Sequence, residues 1–373
     1  MLQEFPFKNL VFQGGGAKTY AYHGALEILE QHGILDQIQR VAGSSAGATL
    51  ATALSFRLNT ADTFALFRHG DFDEADKNEG NKRKTRIAGK ELNKLMGSVS
   101  SVNRFLSRYG WHSVDRYQQW IEGIIAPQCD ANGRATFADF QARGFRDLYI
   151  ITTNISKHTT EIFSAKTTPA VAVADAILMS SLVPLYFESL RFDGWRLGRG
   201  DFHADGGILL NYPIKIFDDP AYVEDERWFS GDVNWETLGC RTYKQDPHPR
   251  EPEPINNVIS YMGAVFETLL AAQAVAFENN PADRFRTINI SDCGVSTMDF
   301  SISVDKNDPR YYALCEAGRQ ATQAYLAQYA LPAPPTPPEP EIVTKPSGWE
   351  QFHSWLQAGG RALGFVGDEE EEP

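Results

Sequence analysis

The chain opens with short apolar runs, each closed by a turn of small residues and followed by a helical pattern. Leu10-Val11-Phe12 leads into Gly14-Gly15-Gly16, and Tyr20 to Gln31 then carries apolar residues at helical spacing. Val41-Ala42 leads into Gly43-Ser44-Ser45-Ala46-Gly47, and a second alanine-rich helix follows, ending by Asn59. Strand, turn and helix written twice between Asn9 and Asn59 predict parallel strands joined by right-handed crossovers. The pattern breaks from Asp71 to Arg86, where acidic residues precede Lys77, Lys82, Arg83, Lys84 and Arg86; this reads as an exposed loop. Helical stretches at Lys90 to Met96 and around Tyr117 to Ile125 read as a cap, so that 71–146 is an insertion over the core.

The core pattern resumes at Asp147. Leu148 to Thr153 is rich in β-branched and aromatic residues and predicts a buried strand, with Thr159 to Ser164 pairing beside it. Val171 to Ser181 predicts a small apolar helix ending before Pro184. The chain turns through His203-Ala204-Asp205-Gly206-Gly207, and 218–254, rich in Pro, Trp and charge, reads as a lid-like loop. Val258 to Phe277 predicts a helix, Arg286 to Ile290 a strand and Tyr311 to Tyr329 a closing helix. One catalytic domain over 8–330 is therefore expected. A stiff proline-rich linker at 331–347 follows, then a C-terminal segment at 348–373. There Trp349, Phe352, Trp355 and Leu356 share one helical face ahead of an acidic tail, Asp368 to Glu372.

Composition narrows the class. The 373 residues are 42% hydrophobic and 12% aromatic, enough for a sizeable core. A net charge of −13 argues against nucleic-acid binding, which needs a basic footprint. Four scattered cysteines without a C-x-x-C pair suggest a reduced intracellular setting and outline no metal or disulfide framework. The N-terminus lacks a signal-peptide pattern, and no run of about 18 apolar residues is expected to span a bilayer, so no transmembrane segment is expected. A cytoplasmic or peripheral-membrane protein is expected, with export by a route that reads no N-terminal signal left open.

The two turns carry the candidate chemistry. G-x-S-x-G at Gly43 to Gly47 lets a sharp strand-to-helix turn form without clashes and holds the Ser45 hydroxyl above the sheet edge. Gly14-Gly15-Gly16 has three readings. A dinucleotide fingerprint would want glycine where Thr19 stands, and a phosphate-binding Walker loop has a different spacing. The third reading is an oxyanion hole, with bare amides of Gly15 and Gly16 at a helix N-terminus and Lys18 adding positive charge for a phosphate-bearing substrate. Among the histidines only His203 stands near a candidate acid. Asp205-Gly206-Gly207 is the more telling feature, because two glycines let the carboxylate approach another turn and take the Ser45 proton directly.

Together these motifs resemble the patatin-like phospholipases, which carry a glycine-rich oxyanion loop near the N-terminus, G-x-S-x-G at the nucleophile and D-G-G or D-G-A at the base. The resemblance spans roughly 8–55 and 147–213, including Ala176 to Ser181 before Val183-Pro184, and Asn211-Tyr212-Pro213. It departs at Thr19, where the family usually has glycine. It implies an α/β fold, three layers with a mostly parallel central sheet and helical cap or lid insertions. It implies Ser45 as nucleophile and Asp205 as proton acceptor, with Gly14, Gly15 and Gly16 forming the oxyanion hole. Lys18 would contact substrate, and Gly43, Gly47, Gly206 and Gly207 would support the turns. No metal and no cofactor would be needed.

The activity so implied is hydrolysis of fatty-acyl esters of glycerophospholipids, phospholipase A type, with peripheral membrane contact through Lys82-Arg83-Lys84 or the Trp349/Phe352/Trp355 face. The same dyad would serve a lysophospholipase, a neutral-lipid lipase or an acyltransferase. A silent lipid-binding scaffold and a Ser–His–Asp hydrolase using His203 are the remaining alternatives. No motif identifies a protein activator.

Overall fold

The computed structural model describes residues 5–68, 99–244, 255–256, 258–299, 301–304 and 307–329. The charged loop with Lys82-Arg83-Lys84, the Lys90 to Met96 helix, the proline-rich linker and the Trp349/Phe352/Trp355 face lie outside these residues.

The alternating pattern folds as strand–helix units. β1 (Asn9–Phe12) leads to α1 (Ala21–Gln31), and β2 (Arg40–Ser44) to α2 (Ala46–Ser55). After α3 (Asp115–Ile125) come β3 (Asp147–Asn154), β4 (Thr159–Phe163), α4 (Val173–Ser180), β5 (Leu190–Phe192) and β6 (Asp201–Asp205). β7 (Thr237–Tyr243), α5 (Val258–Glu278), β8 (Thr287–Ser291) and α6 (Pro309–Gln328) complete the domain. The eight strands form one sheet in the order β8-β7-β1-β2-β3-β6-β5, with β4 also on β3. The run from β8 to β3 is parallel, and β4, β5 and β6 are antiparallel.

Side chains alternate across the strands, so each strand feeds both faces. Leu10, Phe12, Leu148, Ile150, Leu238 and Cys240 join the main core with Leu26, Leu29 and Leu314 from α1 and α6. Val11, Ala42 and Tyr149 point the other way and are covered by Ile214 and Phe217. Parallel strands buried on both faces are what near-continuous apolar runs such as Leu10-Val11-Phe12 encode.

One register places the site. Residues 150–154 of β3 pair with β4 on one edge. The opposite edge is therefore shared by β2, which ends with Ser44 opposite Ile151, and by β6, which arrives from the other direction with Asp205 opposite Thr152. Two strands meet head to head at consecutive registers. Residues 45 and 205 become neighbours although 160 positions separate them.

Two segments differ from expectation. Thr237–Tyr243, inside the expected lid, is a sheet strand between β1 and β8, buried from Thr237 to Thr242. Its Gly239 and Arg241 disguise it, because Arg241 pairs with Glu278 and stacks over Phe277 rather than reaching water. The described part of the expected cap is likewise integral. Ile121, Ile124, Ile125, Phe137 and Phe140 belong to the main core cluster, so α3 and the short helix Phe137–Ala142 are part of the domain core.

Candidate active site

Ser45 stands at the turn between β2 and α2 with φ 53° and ψ −130°, a conformation that few non-glycine residues adopt. The turn is possible because its neighbours are small. A Cβ on Gly47 would lie 2.7 Å from the Gln13 carbonyl oxygen, and one on Gly43 would overlap the backbone of Gly47. The Ser45 N–H donates to Ser180 Oγ at 2.8 Å, and Ser180 Oγ donates onward to the Ile151 carbonyl at 2.6 Å. The elbow is thus tied to α4 as well as to the sheet.

Ser45 Oγ donates to Asp205 Oδ2 at 2.7 Å, and the other carboxylate oxygen, Oδ1, accepts the Gly207 N–H at 2.7 Å. Thr153 Oγ1 caps the Asp205 carbonyl at 2.9 Å, and Gly206 packs against Ser44 and Ile151 where no side chain would fit. Asp205 is fully buried. Burial pushes its carboxyl up from 3.8 to about 7, while the bonds from Ser45 and Gly207 pull in the opposite direction. A carboxylic acid that titrates near neutrality, in contact with a hydroxyl, can both take and return a proton.

The glycine loop lies on the other side of the elbow. Among the described residues the amides of Gly15 and Gly16 have no acceptor. Gly16 has φ 52°, and a Cβ there would collide with the Thr297 carbonyl, so only glycine can present this backbone. Gly14 departs from the expected role. Its N–H donates to the Asn211 carbonyl at 3.0 Å and is spent on holding the loop against the turn after β6, with Asn211 Nδ2 donating back to the Gly14 carbonyl at 3.1 Å. Lys18 departs as well. Its ammonium lies 3.4 Å from buried Asp292 and 3.8 Å from Glu267, so its charge is already answered from within the chain.

His203 does not join Ser45. It is buried between Phe163 and Phe192, with Nε2 2.9 Å from Glu161 Oε2 on β4. Among the described residues no group of three or more His, Cys, Asp and Glu side chains is placed to hold a metal ion.

An apolar cavity opens beside the elbow, with about 590 Å³ of empty space, part of it open to solvent. Gly16, Ala46, Leu50, Phe67, Trp120 and Ile302 are among the residues that line it. His23, stacked on Phe64, also contributes, and burial lowers its pKa to about 3, so it lines the cavity as a neutral ring. Sequence reasoning singled out no role for Ser180, Asn211 or Gln273, which positions the turn after β6 through Asn211 N–H and the Gly207 carbonyl. The first two stood in segments already noted for their resemblance. Gln273 carried no signal at all.

The family model described as patatin-like phospholipase matches residues 10–218. The chain is 26% identical over 313 residues to the uncharacterized protein R571 of Acanthamoeba polyphaga mimivirus, covering 82% of this chain and 91% of that protein. It is 23% identical over 211 residues to the probable lipid hydrolase 463L of Invertebrate iridescent virus 6, covering 56% of this chain and 63% of that protein. VipD from Legionella pneumophila is similar in structure, with a TM-score of 0.47 at 18% identity over 86% of this chain and 67% of that one.

Proposed function

Because the chain belongs to the patatin-like phospholipase family, we propose that it hydrolyses fatty-acyl esters of glycerophospholipids through Ser45 and Asp205. The observation that carries this reading is the 2.7 Å contact between Ser45 Oγ and a buried carboxylate with no imidazole between them. The relative 463L is named a probable lipid hydrolase, which supports the coarser part of this reading, a lipid substrate.

In this reading Ser45 Oγ attacks the ester carbonyl carbon while its proton passes to Asp205 Oδ2. The carbonyl oxygen becomes an oxyanion held by the Gly15 and Gly16 amides, and the start of α2 favours the same charge. Collapse breaks the bond to the glycerol oxygen, which leaves as an alcohol with the proton from Asp205. The acyl-Ser45 ester is then attacked by water, whose proton passes to Asp205; the bond from the acyl carbon to Ser45 Oγ breaks, Asp205 returns the proton to Oγ, and the fatty acid departs. The apolar cavity takes the acyl chain. Lys18 is assigned no phosphate, since Asp292 and Glu267 share its ammonium.

The test sets wild type, Ser45→Ala and Asp205→Asn side by side on phosphatidylcholine, lysophosphatidylcholine and triacylglycerol. A fluorophosphonate label reports on the nucleophile. Labelling of wild type but not of Ser45→Ala, with phosphatidylcholine hydrolysis lost by about a thousandfold or more in both variants, is expected. Exclusive turnover of lysophosphatidylcholine or triacylglycerol would move the substrate to that class. An unlabelled wild type, or full activity in Asp205→Asn, ends the dyad mechanism.

A further inference from the structure

α5 is apolar on both sides. Its inner stripe, Met262, Phe266 and Phe277, is buried, as a helix packed on a domain should be. Its outer stripe is also apolar: Tyr261 is 59% exposed, Val265 45%, Leu269 41% and Val275 62%. Between Tyr261 and Phe277 the only charged residue is Glu267, which faces Lys18. A helix that is hydrophobic all round normally lies inside a protein or a membrane. Over Ser260–Glu278 only 17% of this one is buried. By length and composition alone this stretch could cross a membrane, whereas the sequence reading expected no apolar run that could span a bilayer. The helix is nevertheless committed to the domain by its buried inner stripe and by Gln273.

The helix that carries the stripe also reaches the candidate active site, through residues on its other sides. Gln273 Oε1 accepts the Asn211 N–H at 2.8 Å, and its Nε2 donates to the Gly207 carbonyl at 2.7 Å. Leu270 packs against Gly207, whose own N–H holds Asp205. Glu267 reaches Lys18 on the oxyanion loop. Leu209, in the Gly207–Leu210 turn that packs on α5, is exposed at 43%.

We propose that the outer face of α5, from Tyr261 to Val275, is the surface by which the protein lies on a lipid–water interface, with its site facing the bilayer. The proposal rests on the phospholipid reading above and adds where the substrate surface is met. An apolar face on the helix that holds the Asp205 turn would let an acyl chain pass from bilayer to cavity with little exposure to water. The stripe carries no lysine or arginine, and the chain as a whole is acidic, with a net charge of −13. Docking is therefore driven by apolar contact and does not require anionic headgroups.

The experiment uses the full chain carrying Ser45→Ala, floated with phosphatidylcholine vesicles at low and high salt. Flotation that survives high salt is expected, since screening leaves apolar contacts intact. Adding Val265→Asp and Leu269→Asp should weaken vesicle partition by about a hundredfold. The same pair in the active enzyme should leave cleavage of a monomeric short-chain ester within about twofold of wild type and abolish hydrolysis of vesicle phospholipid. If the aspartates impair folding, Val265→Thr with Leu269→Gln carries the same test. Failure of the Ser45→Ala protein to float, or equal flotation of the stripe variants, overturns the proposal. So does light scattering that shows a dimer split by the aspartates with flotation unchanged, since the face would then bind a second copy. Wild type inert on the soluble ester would instead count against the hydrolase reading.

Discussion

Ser180 Oγ stands between the backbone of the nucleophile and the backbone of the central strand, accepting from Ser45 N at 2.8 Å and donating to Ile151 O at 2.6 Å. The contact fixes the amide plane of a residue held at φ 53°. Ser180 lies 135 positions beyond Ser45 and bonds to its amide, while the Ser180 carbonyl accepts the N–H of Gly206 beside Asp205 at 3.1 Å. It is a positioning residue.

Ser180→Ala is therefore expected to lower kcat by about tenfold with KM nearly unchanged, the cost of one buried hydrogen bond spent on geometry. Steady-state kinetics on a soluble ester and the rate of fluorophosphonate labelling should fall together. A purely structural role would lower Tm and leave the labelling rate of the folded fraction intact.

The Asp205 carboxyl, held at about 7, gives a pH signature with a definite sign. As acceptor it must be ionised, so kcat/KM should climb with pH and level off above about 7. Stability runs the other way. The unfolded carboxyl ionises near 3.8, so across the window from 3.8 to about 7 the folded state holds the extra proton. Stability from this group is then lost as pH rises. Asp205→Asn should melt several degrees above wild type near pH 8 and show no such gain near pH 4. A variant less stable than wild type at the alkaline end would contradict the burial argument.

His203→Ala should separate fold from chemistry. The imidazole is buried against Phe163, Phe192 and Glu161, so its removal is expected to destabilise by about 2 kcal/mol or more, read as a lower Tm. The folded variant should keep kcat within about threefold of wild type, because its imidazole bonds to Glu161 and Asp201 rather than to Ser45. Loss of turnover with Tm preserved would revive a histidine-based mechanism.

Trp120 lines the cavity together with Gly16 and Ala46. Trp120→Ala enlarges the cavity, and the preferred acyl chain should lengthen in a series of soluble esters graded by chain length. Each additional methylene that gains a place is worth about 0.8 kcal/mol, so the optimum should move by several carbons. An unchanged optimum would place the acyl chain elsewhere.

Much of this architecture was legible in local pattern. The β1 and β2 units, β3, β4, α4, α5, β8 and α6 follow the apolar runs closely, because buried parallel strands and their crossover helices leave strong short-range signatures. β7 was missed because Gly239 and Arg241 interrupt its apolar run, and only Glu278 and Phe277, far along the chain, explain why an arginine is tolerated there. The α3 region read as a cap because its spacing shows that a helix has an apolar face but not what that face packs against.

The candidate site divides in the same way. Ser45, Asp205, Gly15 and Gly16 could be named from sequence, since a sharp turn with an exposed hydroxyl and a bare-amide loop each demand small residues at fixed offsets. Sequence also determined that both turns follow strands and that the family is patatin-like. Only the tertiary structure decided that Gly14 spends its amide on Asn211, that Lys18 is answered by Asp292, and that His203 belongs to Glu161. It alone aligned β2 and β6 on one edge of β3, so that Ser44 and Asp205 fall opposite consecutive residues, Ile151 and Thr152. The physical reason is reach: turn chemistry is written in neighbouring residues, whereas the partner of a hydrogen bond or an ion pair is chosen by whichever distant strand the fold brings alongside.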